Sequence, residues 1–215
     1  MHVFLAIDDD GCQTVEKFRT DAEHQTSPGH CISGRRSPRS PHRIVERHHD
    51  AARHGYRVIT SGRGGGLKVL ADQYADFARA FAAENVPLEK AHMTVNRFAL
   101  ITNSREEGMR FAENARYQTR LASSLRNRQE VMDGIALVDV PAKGEESLET
   151  VHDNLPIGDV ETVAEKLVAE IKVAKPAQLS FAFKVGNTPH KSAMRSMELM
   201  IGEVKPRIEK ALGLG

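Results

Sequence analysis

Four consecutive pieces near the end of the chain decide the fold: Pro156-Ile-Gly-Asp-Val-Glu-Thr-Val-Ala-Glu-Lys-Leu167, Gln178-Leu-Ser-Phe-Ala-Phe-Lys-Val185, Gly186-Asn-Thr-Pro-His190, and an amphipathic segment closing on Gly202-Glu-Val-Lys-Pro-Arg-Ile208. Asp159 stands at an N-cap position, where a side-chain oxygen accepts from a backbone N–H that the first helical turn leaves bare. Behind it Val160, Val163, Ala164, Leu167, Val168 and Ile171 form one apolar stripe at helical spacing. Residues 178–185 follow as a short apolar strand, and glycine and proline break it sharply. The last helix is expected to put Met194, Met197, Ile201, Val204 and Ile208 on one face. That order predicts the closing unit of a βα barrel, whose ligand sites lie on the loops after the strands. Residues 186–190 are such a loop.

The same alternation extends upstream. Leu70, Tyr74, Phe77 and Phe81 share a helical face, and Asn85-Val-Pro87 ends that helix. Residues 93–102 form a β-branched, apolar strand. Ser104 with Glu107 three positions on reads as a capping box opening a helix that runs, with a break, to about residue 132. Residues 139–154 are polar and irregular, which suggests an excursion or mobile loop. A short helix over 44–54 and a strand over 56–60 precede Ser61-Gly-Arg-Gly-Gly-Gly66, a loop because four glycines in six residues destabilise any regular element. Strand followed by helix, repeated, argues for parallel βαβ units in an α/β fold.

The bulk numbers exclude several classes. The 215 residues suffice for a proper core, and a net charge of +1 makes no electrostatic case for nucleic acid or an anionic membrane surface. Basic binding through the arginines between Arg35 and Arg57 ranks last, because net charge is near zero and aromatics do not alternate with them, Tyr56 alone lying among them. Two cysteines, Cys12 and Cys31, make no disulfide framework, so a reducing cytoplasm is the expected compartment. No run approaches the roughly 20 apolar residues that span a bilayer. Charge nevertheless reveals a seam: residues 1–29 hold six acids against Lys17 and Arg19, while residues 30–57 hold seven arginines against Glu46 and Asp50. Residues 1–50 therefore read as an irregular segment, apart from a short strand over 1–7, and residues 51–215 as the regular part.

Three motifs carry candidate chemistry. Ser61, Gly62 and Arg63 follow a strand and precede a helix, where backbone amides cradle a flavin or nucleotide phosphate and Arg63 would add charge. The same residues also suit a flexible βα loop, since neither a P-loop ending nor a dinucleotide fingerprint is present. His190, at the mouth of the last strand, suits a catalytic base near neutral pH, or simply the start of the final helix. His42, His48, His49 and His54 do not match a zinc-finger spacing, and a solvated basic segment is the expectation; no metal site is assigned.

The C-terminal motifs resemble the luciferase-like flavin-dependent monooxygenases. Gly158-Asp-Val-Glu-Thr-Val-Ala-Glu-Lys-Leu167 is similar to the family's Gly-(Ser/Asp)-Pro-Glu-Thr-Val-Ala-Glu-x-Leu segment. So are Pro189-His-x-x-Ala-Met-Arg-Ser-Met-Glu-Leu-Met200, Glu203-Val-Lys-Pro-Arg207, the Ala51–Thr60 junction and Ser104-Arg-Glu-Glu-Gly108. The resemblance runs from about residue 51 to 212 and implies a partial (β/α)8 TIM-type barrel made of C-terminal βα units. It implies reduced FMN, or a deazaflavin, supplied by a reductase, with O2 and a small organic substrate, and usually a homodimer. Ser61, Gly62 and Arg63 then become flavin-side residues and His190 a catalytic one. The family's phosphate-binding Ser-Pro-x-Ser turn would fall at Ile44, where the chain reads Ile-Val-Glu-Arg; Ser37-Pro-Arg-Ser40 lies seven residues too early. Residues 8–50 are therefore expected to be a frameshifted or truncated remnant of the missing barrel half. The competing expectation is a non-catalytic remnant that binds no flavin or only associates with an intact homologue.

Overall fold

The computed structural model describes residues 2–6, 42–62, 65–141 and 144–214. Arg63, both cysteines, Ser37–Ser40 and most of the segment expected to be irregular lie outside them. The described elements run β1 (His2–Ala6), α1 (His42–His54), β2 (Val58–Ser61), α2 (Leu67–Ala83), β3 (Met93–Phe98), β4 (Leu100–Ile101), α3 (Arg105–Asn127), β5 (Met132–Asp133), β6 (Ala136–Leu137), α4 (Leu148–Asn154), β7 (Ile157–Gly158), α5 (Val160–Ala174), β8 (Gln178–Ala182), α6 (His190–Leu199), a π turn (Met200–Val204) and α7 (Lys205–Leu212).

The main sheet has the order β1-β8-β3-β2. β2, β3 and β8 are mutually parallel, as strands joined by helical crossovers must be. β1 is the exception: it runs antiparallel to β8, pairing His2 with Ala182 and Ala6 with Gln178. A parallel barrel would close on β8 with a strand of the opposite direction to β1, so among the described residues the sheet is open. At Ala99 the strand changes partner. Ala99 N–H still donates to Ala182 O (3.3 Å), but Leu100 N–H donates to Pro156 O (3.1 Å) and Thr102 N–H to Gly158 O (2.7 Å). The parallel β4–β7 ladder is this handover. It divides the strand expected over 93–102 and reveals β7, which the sequence presents only as the approach to a cap.

One face of the sheet is covered by helices. Val95, Leu179, Phe181 and Phe183 meet Leu70, Phe77 and Phe81 of α2, Val163, Leu167 and Ile171 of α5, and Met200, Val204 and Ile208 of the C-terminal helices. The stripes on α2 and α5 are thus buried as their periodicity requires. Ala51 and Ala52 join this core, so the compositional seam at 50/51 falls inside α1, a continuous helix. His48 of the same helix is buried edge-on against Phe77 (6.0 Å), His49 bonds to Glu84 (2.7 Å) and His54 stacks on Tyr56 (5.4 Å). Burial holds the His48 imidazole below its ordinary pKa, since a charged ring loses solvation there.

The last helix departs from the expected face. Ser192, Ala193, Ser196, Met200, Val204 and Ile208 are buried, whereas Met194 and Met197 are partly covered and Ile201 is exposed. In an uninterrupted α-helix at about 100° per residue, Ser196 and Ile208 would diverge by about 120°. The π turn takes up one extra residue and returns them to within about 20° of each other. Its cause is local: Pro206 has no N–H to offer Gly202 O, and Lys205 N–H bonds instead to Met200 O, five residues back.

α3 runs unbroken to Asn127, where Arg128 turns left-handed (φ 54°) and stops it. The excursion beyond is more ordered than its composition suggests. Residues 132–137 form a small antiparallel hairpin, and α4 is capped by Ser147 Oγ accepting from Thr150 N–H (3.1 Å). Arg120 of α3 ties it down by donating to Asp139 (2.9 Å) and both carboxylate oxygens of Glu145. Burial opposes the charge on Arg120, but those acids outweigh it and raise its pKa.

Candidate functional site

Loops leaving the carboxyl ends of β2, β4, β7 and β8 sit at one end of the parallel strands. Two clusters organise them. The first underlies the loop after β2. Arg97 projects from β3 on the helix-covered side, in phase with Met93 and Val95, and its side chain is fully buried. Its guanidinium donates to Glu170 Oε1 on α5 (2.8 Å), to Asn154 O at the end of α4 (2.6 Å) and to Gly65 O in the loop (3.3 Å).

The glycines here are required by close approach. A Cβ on Gly62 would overlap Arg97 Nη1 and reach 2.8 Å from Leu70, and one on Gly66 would stand 2.5 Å from Asn154 Oδ1. Gly65 N–H closes the turn onto Gly62 O (2.7 Å). The loop then enters α2 with Gly66 as N-cap and no side-chain cap on the first turn.

Lys166 of α5 stands beside this cluster, donating to Leu155 O (2.9 Å), Ile157 O (3.1 Å) and His152 O (3.4 Å). Burial lowers its pKa, while Asp153 and Glu170 pull it back up. Burial likewise raises the Glu170 carboxyl against the opposing pull of Arg97. Inside this shell Arg97 and Lys166 are balanced by Glu170, with Asp153 close to Lys166 and Glu146 bonded to Asn154.

The second cluster joins α3 to α6. Ser104 caps α3 as its spacing predicts, accepting from Glu107 N–H (3.2 Å). The reciprocal half of the capping box is absent. Thr102 Oγ1 accepts from Ser104 N–H (3.1 Å) and takes over the task the Glu107 carboxylate would perform. Freed from its own helix, Glu107 accepts from Thr102 (2.5 Å), Ser192 (2.5 Å) and Arg195 (2.8 Å). Burial acts to raise the Glu107 pKa, and these three donors override it, so the net direction is down.

One turn further along α6, Ser196 Oγ accepts from Ile101 N–H (3.0 Å) and faces Ile101 O (3.4 Å), serving the backbone of β4 as a side-chain stand-in for a neighbouring strand. The loop before α6 is equally fixed. Gly186 turns with φ 55°, and Thr188, buried, donates to Val185 O (2.5 Å) and accepts from Asn114 of α3 (3.4 Å). Lys184 Nζ donates to Thr188 O.

Of the residues chosen from sequence, Ser61 ends β2 and is exposed, Gly62 is buried over Arg97, and His190 opens α6 and is exposed. Ser61 and Gly62 stand at the carboxyl end of β2, whereas His190 opens the helix that follows β8, and β3 lies between those two strands. Arg63 lies outside the described residues. Sequence reasoning missed Arg97, Asn154 and Glu170. Their signal was present: an arginine inside an apolar strand and an acid on the buried stripe of α5 require each other, because an unpaired buried charge is prohibitive.

The described residues form a mixed α/β fold with parallel strands. No established protein-family profile matches the chain. The uncharacterized protein y4vJ of Sinorhizobium fredii (strain NBRC 101917 / NGR234) is 29% identical over 164 residues, which are 76% of this chain and 47% of the relative. The crystal structure of monooxygenase RslO1 from Streptomyces bottropensis superposes with a TM-score of 0.53 at 12% identity, covering 75% of this chain and 45% of RslO1. The oxygenating constituent of 3,6-diketocamphane monooxygenase from Pseudomonas putida, a type II Baeyer-Villiger monooxygenase in complex with FMN, gives 0.49 at 15% identity over 75% of this chain and 45% of that one. The likeness to RslO1 is one of fold, and the chain spans about half the length of the proteins it matches.

Proposed function

We propose that residues 51–215 are the C-terminal part of a luciferase-like (β/α)8 barrel whose parent chemistry is flavin-dependent oxygenation of a small organic substrate. The observation that carries this reading is the glycine loop after β2, laid over Arg97 and leading into an N-terminus of α2 without a side-chain cap. Helix N-termini and backbone amides of this kind accept anionic groups. The bare glycine backbone, with Arg97 bonded to Gly65 O beneath it, would suit the phosphate end of FMN. Ser61 would contribute its hydroxyl, Gly62 its backbone, and Arg63 a second charge. His190 would line the site from the start of α6 and move a proton at its imidazole.

Bound FMN, once reduced by a separate reductase, supplies the electrons with which O2 delivers one oxygen atom to the substrate. The fold likeness to RslO1 supports the scaffold, and the motif resemblance supports the cofactor. FMN, or a deazaflavin, is the cofactor of this reading. A cytoplasmic homodimer belongs to the same reading. Residues 8–50 belong to this reading as a frameshifted or truncated remnant, although β1 pairs with β8 and α1 packs against the core; translating the encoding DNA in the other two frames across residues 8–50 tests whether strand-like family sequence lies there.

Reconstitution with FMN tests the function. Retained flavin absorbance after desalting, with oxygen uptake on reduction, is the expected result. In His190→Ala, flavin is retained while substrate oxygenation falls by about 10²–10⁴-fold. Protein that stays colourless refutes the proposal.

A further inference from the structure

The hairpin after α3 holds apolar residues in solvent above a fixed base. Two strands of two residues each pair Met132 with Leu137 and Asp133 with Ala136, and Val138 N–H extends the ladder to Val131 O (2.8 Å). Arg120 holds Asp139 (2.9 Å) and Glu145 below it. Gln129 N–H donates to Ser124 O (3.0 Å), and Ser124 Oγ donates to Gln129 O (3.0 Å). Above that base Val131 and Met132 are about half exposed, and Ile135 at the turn is fully exposed. Consecutive strand residues point to opposite faces, so both faces of the ribbon leave an apolar side chain bare. Leu137, Val138 and Asp139 are half-buried by contrast, which makes β5 the bare strand. Among the described residues no third strand joins this sheet. A two-stranded ribbon is marginal by itself in water, and an unpaired strand edge is a template for another strand.

From this we infer that β5 is an interface for a second copy of this chain, paired antiparallel with its own counterpart across a two-fold axis. Charge complementarity selects that occupant. Arg128 stands at the base of the ribbon and Asp133 at its tip, both exposed and neither in an ion pair among the described residues. A two-fold axis near Val131 brings the tip of each ribbon to the base of the other. Asp133 of one copy and Arg128 of the other then become diagonal neighbours within reach of a long side chain, and symmetry closes the same pair twice. The two ribbons merge into one four-stranded sheet. Because the base is already fixed, little chain has to be ordered on association. The inference rests on the homodimer of the proposed reading and gives it a surface; it is independent of any flavin.

Sedimentation equilibrium of the full chain over a concentration series tests it. The variants are Asp133→Arg and Arg128→Glu, each alone and mixed in equal amounts, and the double variant Met132→Lys/Ile135→Lys. All four side chains are exposed, and circular dichroism with a thermal midpoint establishes that each variant is folded. Wild-type protein should be a dimer. Either charge reversal sets like charges together at both contacts and should weaken dimerisation at least about 10-fold. The double variant, which puts charge in place of the apolar anchors of both copies, should weaken it about 100-fold or more. In the mixture opposite charges meet at both contacts, so dimerisation should recover to within about 3-fold of wild type, the scale of exposed ion pairs. A mixture that stays as weak as its components overturns the two-fold pairing. A dimer that all variants leave intact overturns the hairpin surface and keeps the homodimer. Protein that is monomeric throughout overturns both, as does a monomer that binds phosphatidylcholine vesicles through the same hairpin.

Discussion

Removing the Glu107 carboxylate should loosen α6 from the rest of the fold. In Glu107→Ala, Ser192 (7% exposed) and Thr102 (8%) each lose an acceptor at 2.5 Å. A buried hydroxyl left without its partner costs about 1–3 kcal/mol. Arg195 is 44% exposed, and its pairing adds at most about 1 kcal/mol. Because the hydroxyls can rotate toward other acceptors, the combined loss centres on about 3 kcal/mol. For a chain of this size that lowers the thermal midpoint by about 6–12 °C. Glu107→Gln, which keeps one acceptor oxygen, should lose roughly half as much.

The pH dependence follows from the sign of the Glu107 shift. Its folded pKa lies below the unfolded one, so its contribution is complete above the ordinary glutamate value of about 4.3. The contribution fades as pH falls through the lower folded value, and the glutamine variant lacks that part of the acid slope. Calorimetry measures the midpoint, and hydrogen exchange localises the change. Amides of residues 188–199 should exchange faster while those of α5 keep their protection. A midpoint within about 2 °C of wild type, with unchanged exchange in α6, would refute the clasp.

Two further outcomes rest on packing. Ser196→Ala leaves the buried Ile101 N–H without its 3.0 Å acceptor and should lower the urea midpoint by the equivalent of about 1–3 kcal/mol with the slope unchanged. Gly62→Ala forces a methyl group against Arg97 and Leu70 and should cost about 1–3 kcal/mol in the same assay, whereas Gly202→Ala, where a Cβ meets nothing within 4 Å, should be neutral or stabilising by up to about 1 kcal/mol.

The clasp also brings together two motifs that the sequence separates. Ser104-Arg-Glu-Glu-Gly108 and Pro189–Met200 meet in space: Glu107 receives Ser192 and Arg195, and Ser196 receives Ile101 just upstream. These motif residues hold the last helix against β4 and serve as scaffold. The chemistry is proposed for the loops around them, where the glycines of residues 61–66 were legible as a loop but their buried partner was not.

Local signals read correctly at several caps and stripes, though the Ser147 cap of α4 went unread. Asp159 and Ser104 cap their helices, and the stripes on α2 and α5 are buried, because a cap or a stripe is a relation among residues within a few positions of one another. Pro206, too, was visible, although its effect on the face of the last helix was not.

Tertiary structure alone decided the rest. It set the direction of β1 against β8, the handover of the strand at Ala99 from β8 to β7, the diversion of Glu107 from its own helix to α6, and the pairing of Arg97 with Glu170. Each joins residues far apart in sequence, and each depends on how sheets and helices settle to bury their apolar faces. The chain by itself determined the caps and apolar stripes that place α2, α3 and α5; packing determined the short strands and α4 between them, and which polar groups were left to find one another.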